Sequence, residues 1–249
     1  MTTTISKDGD IALVCFDEGR GSSLSFESIA VLSRTLDEVE GSDARAVVLT
    51  GAGKVFCSGL DLRACSRYDR ATMARFVDSF ESLFERVFSF PLPIVASLNG
   101  HAMAGGAVIA LACDVRVMAT TAELALNEVE LGLPFPSMAF EIGRFGFPAA
   151  AHVDGVLLGK RFTAQEALAR GVVQAVCAPG DDKPALAWAK EFTTRGSNAV
   201  AAVKRMLRQE ALDRARARAL HSRRAFVDGF FGDDAQRRIG ALVAKLEKR

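Results

Sequence analysis

One nearly continuous apolar segment most strongly constrains the fold of this chain. Residues 44–50 (ARAVVLT) form such a run, as expected for a strand that is buried on both faces of a parallel sheet. The segments 94–98 (IVASL) and 114–120 (DVRVMAT) are predicted to be further strands. The segment 10–17 (DIALVCFD) alternates and carries β-branched residues, so it is also predicted to be a strand.

Helical patterns separate these strands. From Met73 to Phe88 the apolar residues recur every three or four positions, which predicts an amphipathic helix. The proline pair at 91–93 is expected to end it. Residues 104–113 (AGGAVIALAC) fit a helix that starts at small residues, and Ser25 is expected to cap an earlier one. This alternation predicts an α/β layered domain.

The chain changes character near Pro184. Up to about Val176 strands and helices alternate, whereas residues 185–249 show only helical patterns, interrupted near Gly196, Gly229 and Gly232. We therefore predict two parts, an α/β core at 1–184 and a helical region at 185–249.

Composition excludes several classes of protein. The net charge of +1 gives no general attraction to nucleic acid or membranes. The first ten residues lack a basic region followed by an apolar run, and Gly, Pro, Asp or Arg interrupts every long apolar stretch, so neither a signal peptide nor a membrane span is expected. The five cysteines are scattered and never form CxxC, and the three histidines have no partner at ligand spacing. A reduced, cytoplasmic protein without a metal is expected.

The segment 204–224 carries eight basic residues against Glu210 and Asp213. They fall all round the predicted helix rather than along one stripe. A solvated surface, or a contact to an anionic ligand, is therefore favoured over a nucleic-acid interface.

Two glycine-containing segments are candidates for anion binding. Ser58-Gly59, just after a predicted strand and turn, leaves the backbone N–H of Ser58 accessible, and Ala104-Gly105-Gly106 opens a predicted helix. The first turn of a helix has free N–H groups, and glycine permits close approach of a ligand. Two convergent N–H groups would form an oxyanion hole. Small residues at a helix start are also common where helices pack tightly, so either segment alone is weak evidence for an oxyanion hole.

The segments FCSGLDL (56–62), IVASLNGHAMAGGAVIALACDVRV (94–117) and GKRFTAQEALARGVVQAVCAP (159–179) together resemble the crotonase superfamily of enoyl-CoA hydratases and isomerases. The resemblance implies a spiral of β-β-α turns, an acyl-CoA substrate and C-terminal helices that build a homotrimer, with pairing into hexamers left open. It places the oxyanion donors at the N–H groups of Ser58 and Gly105, and the CoA moiety along Ser58, Gly59, Leu60, Asp61 and Leu62. No cofactor is implied, because coenzyme A is part of the substrate.

The glutamates present in the sequence narrow the choice among the reactions that the resemblance implies. Hydratases of the family use two glutamates; the first would stand at position 108, where this chain has Val108, and the second corresponds to Glu128 in LNEVELGL (126–133). A single glutamate, followed by Pro134-Phe135, resembles the mitochondrial-type 3,2-trans-enoyl-CoA isomerases. Glu128 would then move a proton from C2 to C4 of a 3-enoyl-CoA. Met103 and Phe135 are expected to line the acyl site.

Alternatives remain open. Hydration would need a second acid, for which Glu130 and Glu141 are the candidates. Glu130 is the less favoured reading beside Glu128, and a solvated or salt-bridged side chain is the more common role for Glu141. Thioester hydrolysis, or acyl-CoA binding without turnover, would also fit the two backbone donors. We expect structural roles for His101 and for Asp61, the latter as a turn cap.

Overall fold

The structure, a computed structural model, describes residues 2–17 and 22–247. The sequence GRGSS at 19–23 also predicts a turn, of which residues 19–21 lie outside the described residues. The strands are β1 Thr2–Asp8, β2 Ile11–Asp17, β3 Ser23–Leu24, β4 Ala46–Gly51, β5 Val55–Cys57, β6 Gly59–Leu60, β7 Ile94–Leu98, β8 His101–Met103, β9 Val115–Ala119, β10 Glu123–Ala125, β11 Phe162–Thr163 and β12 Ala175–Cys177.

Nine α-helices lie within the described residues. They are α1 Phe26–Glu40, α2 Leu62–Cys65, α3 Arg70–Phe88, α4 Gly105–Ala112, α5 Ser137–Gly146, α6 Ala164–Ala169, α7 Lys183–Thr193, α8 Ser197–Phe230 and α9 Asp233–Glu247. Short 3-10 turns span Glu128–Leu131 and Ala149–Ala151, and a π-helical turn spans Val153–Leu157.

The strands form a layered spiral. A six-stranded sheet has the order β1-β2-β4-β7-β9-β12, parallel except for the β1–β2 pair. A second sheet has the order β11-β10-β8-β5 and receives the strand that follows β4, β7 and β9 in each turn. β3 and β6 pair in parallel beside them. Successive turns thus add one strand to each sheet and then a helix, which confirms the predicted α/β spiral.

Helix ends follow the local sequence. Ser25 accepts the N–H of Ser28 at 3.1 Å, and the Ser28 hydroxyl accepts the N–H of Ser25, so the predicted cap of α1 is present. The helix α3 starts three residues before Met73, capped by Asp69, and the full predicted face from Met73 to Phe88 is buried. In α4 all eight residues are buried, because the helix runs through the centre of the molecule between the second sheet and α3 and α5.

The helix α7 packs on the six-stranded sheet. Ala185 and Ala189 contact a core of residues that includes Val48, Val95 and Val117. The helices α8 and α9 continue over α3, α5 and the 3-10 turn at Glu128–Leu131. The predicted change to helices after Pro184 is present, but α7 covers the sheet of the core; the division of the chain at 184 stays a prediction. No helix in the described part of the chain is long and apolar enough to span a membrane.

Candidate active site

The two glycine segments meet in space. A carbon added at the Cβ position of Gly59 would lie 3.2 Å from the backbone nitrogen of Gly105 and 2.9 Å from the carbonyl oxygen of Met103. At Gly106 such a carbon would lie 2.1 Å from the carbonyl oxygen of Cys57. Real Cβ atoms essentially never lie closer than 3.0 Å to such atoms, so the separations of 2.9 and 2.1 Å require glycine where β6 reaches the first turn of α4.

The backbone N–H groups of Ser58 and Gly105 flank this contact. Gly105 is the first residue of α4, so its N–H has no acceptor within the helix and lies at the positive end of the helix dipole. The N–H of Ser58 points toward the carbonyl oxygen of Ser22, at 3.4 Å. That separation is beyond the usual 2.7–3.2 Å range, about the length of a weak hydrogen bond. Both N–H groups are therefore available to donate to a stronger acceptor.

The first residue of the second glycine segment is strained. Ala104 has φ +49° and ψ −122° and precedes α4 without a side-chain cap. This backbone region favours glycine, and a non-glycine residue there costs on the order of 1–3 kcal/mol. The N–H of Ala104 donates to the carbonyl oxygen of Ala125 at 2.8 Å, which holds the strained residue in place.

Glu128 is a buried carboxylate with an unpaired oxygen. It begins the 3-10 turn after β10, its residue is 9% exposed, and its Oε2 atom has no hydrogen-bond partner among the described residues. Burial raises its pKa from 4.5 to about 7, and a hydrogen bond from its own backbone acts in the opposite direction and lowers the pKa. A carboxyl group that ionises near neutral pH is suited to take and return a proton.

Small residues hold this turn in place. Gly132 ends it in the left-handed region with φ +72°, and the N–H of Leu133 donates to the carbonyl oxygen of Glu128 at 3.1 Å. Gly159 packs against Val129 and Asn127, leaving no room for a side chain. The turn is thus fixed from several sides before any ligand binds.

Position 108 is occupied by an aliphatic side chain. Val108 is fully buried in α4, and its N–H donates to the carbonyl oxygen of Ala104 at 3.0 Å. No charged side chain is among the causes of the raised pKa of Glu128. Within the described residues Glu128 is therefore an isolated carboxyl group in apolar surroundings.

The other two candidate glutamates face elsewhere. Glu130 forms an ion pair with Arg161 at 3.3 Å, and its side chain is 44% exposed. Glu141 is buried in α5, where its Oε2 atom lies 3.0 Å from Arg214 of α8. Both carboxylates have a cation within reach, whereas no cation is among the causes of the Glu128 pKa shift. Glu141 shares one property with Glu128: its Oε1 atom also has no hydrogen-bond partner among the described residues.

The remaining predicted site residues occupy the expected segments. Ser58 is exposed, and Gly59 and Leu60 form β6. Asp61 caps α2, which begins at Leu62, by accepting the N–H groups of Arg63 and Ala64 at 3.0 and 3.1 Å. This capping role explains the presence of Asp61 without giving it a part in the reaction. The side chains that were expected to line the acyl site, Met103 and Phe135, are both half-buried.

The contacts of His101 and Cys57 are of the kind that stabilise the fold. The Nδ1 atom of His101 accepts the backbone N–H of Glu123 at 3.2 Å. Cys57 is fully buried next to Gly106. The described residues contain no group of three His, Cys, Asp or Glu side chains arranged to hold a metal ion.

Sequence reasoning missed one carboxyl group with unusual properties. Glu81 lies on α3 and accepts the backbone N–H of Met138, at the start of α5, at 2.6 Å. Burial raises its pKa to about 7. In the sequence Glu81 lies at the border of the apolar face, four residues after Val77 and three before Phe84, and no local signal shows that α5 will cover it.

A cleft of ≈ 520 Å³ lies away from Glu128, where α8 crosses the ends of α3 and α4. Apolar side chains such as Phe145, Val203 and Leu207 line it together with Lys204 and Arg208. These two cations are buried, and both pair with Asp114 at 2.7 Å. The cleft shares no lining residue with the two glycine segments, so it is separate from the candidate active site.

The fold defines a class: spiral α/β proteins in which each turn adds one strand to each of two sheets and then a helix. The sequence model of the family described as Enoyl-CoA hydratase/isomerase matches residues 7–249 of this chain. The chain therefore belongs to the enoyl-CoA hydratase/isomerase family, within the crotonase superfamily.

Individual relatives carry both names. A Thermus thermophilus protein named for enoyl-CoA hydratase activity is 39% identical over 177 residues, covering 69% of this chain and 70% of the relative. A short-chain-enoyl-CoA hydratase of Clostridium acetobutylicum is 29% identical and covers 98% of this chain and 94% of its own length. Among solved structures, the human mitochondrial delta3-delta2-enoyl-CoA isomerase has a TM-score of 0.91 at 26% identity, covering 99% of this chain and 98% of that one.

Proposed function

We propose that the protein is an acyl-CoA enzyme that shifts the double bond of a 3-enoyl-CoA to give the 2-trans-enoyl-CoA. The observation that carries this proposal is the isolation of Glu128: it is buried, has an unpaired oxygen, and has no charged side chain among the causes of its raised pKa. Position 108, where the resemblance implies a second acid in hydratases, carries the buried apolar Val108. Migration of a double bond needs one base that removes and returns a proton, whereas hydration needs groups that hold and activate a water.

The proposed mechanism uses three groups. The Glu128 carboxylate takes a proton from C2, and the electron pair passes through the C3–C4 π system and the thioester to give a dienolate. The N–H groups of Ser58 and Gly105 stabilise the charge on the thioester oxygen. The protonated Glu128 then delivers the proton to C4, which leaves the double bond between C2 and C3. No atom is gained or lost.

The environment of Glu128 supports this role. Its apolar surroundings raise its pKa to about 7, so the ionised form is available at neutral pH and is a stronger base than an exposed glutamate. The strained backbone at Ala104 holds Gly105 at a fixed position beside Gly59. Preorganised donors need no rearrangement when charge develops on the substrate.

An assay with two substrates in parallel tests the proposal. Purified protein is given a 3-enoyl-CoA and, separately, a 2-enoyl-CoA, and the conjugated thioester is followed by its ultraviolet absorbance. We expect conjugation of the first and negligible hydration of the second. Glu128→Gln should lose activity by about 10²–10⁴-fold, the usual contribution of a general base. Glu130→Gln is the matched control, because Glu130 is two residues away but half-exposed and paired with Arg161.

Hydration is the second candidate, because the relatives from Thermus thermophilus and Clostridium acetobutylicum bear hydratase names. It would require water to be held by Glu128 without a carboxylate at position 108. Efficient hydration of the 2-enoyl-CoA would favour this candidate and overturn the single-base mechanism. Hydrolysis of the thioester would release free coenzyme A, which a thiol reagent detects in the same samples.

We also propose assembly into trimers through the C-terminal helices. An exposed apolar face on α8 supports it: Val203, Met206 and Leu207 are 55%, 78% and 67% exposed. Such a contiguous face is typical of a protein–protein contact. Light scattering of the purified protein measures the assembly, and a monomer would contradict the proposal.

A further inference from the structure

Glu81 caps a helix to which it does not belong. Its carboxylate, on α3, accepts the N–H of Met138 at 2.6 Å and also the N–H of Ala139. The residue before α5 is Pro136, which provides no side-chain cap. The N–H of Ser137 donates to the hydroxyl of Ser222, on α8, at 3.0 Å. The first three amides of α5 are therefore all held by side chains of α3 and α8.

The start of α5 is linked to Glu128 by a short and stiff connection. Between the 3-10 turn and α5 lie residues 132–136, two of which are prolines with a fixed φ. Pro134 packs closely against Gly229 of α8. A Cβ added at Gly229 would lie 2.7 Å from the Pro134 Cδ atom. The other end of the connection is fixed by the hydrogen bond from Leu133 to Glu128. A shift of the α5 start would therefore be transmitted to the turn that carries Glu128.

The charges around Glu81 allow it to change its state of ionisation. Burial raises its pKa to about 7, the two amides of α5 oppose this, and Asp78 and Glu85 add to it. Those two carboxylates pair with Arg223 and Arg216 of α8. The helices α1, α4 and α5 also pack against α3. The sequence of α4 has no ionisable side chain, and Glu141 of α5 pairs with Arg214. Asp37 and Glu40 of α1 pair with Arg86 of α3.

We propose, on the basis of the function proposed above, that Glu81 is a positioning residue for Glu128: as a carboxylate it anchors the start of α5 and so fixes the far end of the connection that holds the base. Hydrogen bonds to an ionised acceptor are stronger than those to a neutral one. Protonation of Glu81 then weakens the anchor, and a displacement of about 1 Å at the base costs on the order of 10² in rate. The enzyme needs both glutamates ionised for full activity.

The pH dependence of kcat distinguishes positioning from simple helix capping. For the wild type, log kcat should fall on the acid side with a slope clearly above one just below the two pKa values, because protonation of either carboxylate lowers the rate. Glu81→Gln still accepts one amide, so it should fold, with kcat lowered on the order of 10²-fold, KM nearly unchanged and a slope of one throughout. Glu85→Gln is the matched control, one turn further along α3 and paired with Arg216; its slope should stay as steep as that of the wild type.

A slope of one in both the wild type and Glu81→Gln, with equal kcat, would overturn the positioning role and leave the isomerase intact. Amide hydrogen exchange separates the two proposals if the wild type does not shift the double bond. Faster exchange throughout 128–139 in Glu81→Gln, but not in Glu85→Gln, would then support the positioning of this segment with a different reaction. Faster exchange confined to 138 and 139 would contradict it.

Discussion

The backbone of Gly59 lies against the backbone of Gly105: a Cβ added to the first would come within 3.2 Å of the nitrogen of the second. The two residues are 46 positions apart in the sequence and come from different elements, β6 and α4. Their contact brings the segments that carry the N–H groups of Ser58 and Gly105 side by side. The proposed chemistry therefore depends on this contact.

Gly59→Ala should abolish most of the activity. Gly59 has φ +87°, and the added carbon would lie 2.9 Å from both the Ala104 Cβ atom and the Met103 carbonyl oxygen. We expect kcat/KM to fall at least about 10²-fold, because the oxyanion donors must separate. Gly53→Ala is the control for strain alone: φ there is +65°, but nothing lies within 4 Å. It should lose about 1 kcal/mol of stability and keep its activity. Equal activity losses in both variants would contradict this account.

Glu128→Gln should stabilise the fold at alkaline pH. The pKa of Glu128 is raised in the folded state, so its favourable contribution is fully present below about pH 4.5 and is lost as pH rises through about 7. At pH 8 the wild type carries a buried charge that the variant lacks, and the variant should be more stable by roughly 2–3 kcal/mol. Urea unfolding at pH 8 and at pH 5 measures this difference, which should be mostly gone at pH 5. An unchanged difference at the two pH values would show that Glu128 is not desolvated.

Val108→Glu should introduce hydration. A carboxylate at this position would supply the second acid that the hydratases of the family use, and a water could be held between it and Glu128. We expect measurable hydration of a 2-enoyl-CoA, a slower double-bond shift, and a stability loss of a few kcal/mol, because position 108 is fully buried. Val108→Leu is the control for changed packing and should hydrate no faster than the wild type. Strong hydration by the wild type would contradict the premise.

Ala104→Gly should relieve strain next to the oxyanion donor. The variant removes a Cβ from a residue with φ +49°, which offsets the greater freedom of glycine in the unfolded chain. We expect a change in stability from zero to about +1 kcal/mol and an activity within a few-fold of the wild type. Thermal unfolding and the double-bond assay together check it. A marked destabilisation would show that the methyl group of Ala104 packs usefully against β6.

Asp114→Asn should strongly destabilise the protein. Lys204 and Arg208 are buried, and Asp114 is the carboxylate that pairs with both of them at 2.7 Å. Removing its charge leaves two buried cations, for which a loss of about 3–5 kcal/mol is expected in urea unfolding. Asp10→Asn is the control, because Asp10 is 61% exposed and lies 3.8 Å from Arg45. That variant should change stability by less than about 0.5 kcal/mol.

Much of the fold could be predicted from periodicity alone. The strand at 94–98 and the buried face of the helix ending at Phe88 match the sequence pattern, because each is long enough and apolar enough to show its period. The first strand, Thr2–Asp8, was missed; it is an edge strand made largely of polar residues, and it depends on pairing with β2. The strands of the second sheet have two or three residues, too few for any period to appear.

The candidate site was partly predictable. The two glycine segments and Glu128 were found because they carry local signals and a resemblance to a family. Their roles in catalysis stay predictions. Glu81 could not be found, since its surroundings arise only when α5 packs against α3. The salt bridge expected for Glu141 is present, but its partner, Arg214, is 73 residues away in the sequence and could not be named from it.

The most direct measurement of the central claim is the fate of a deuterium label at C2 of a 3-enoyl-CoA. If Glu128 is a single base shielded from water, the product should have the substrate's formula and carry part of the label at C4. Glu128→Gln should give no product. A product heavier by one water, or a product from which all label has been lost to solvent, would contradict the single-base mechanism.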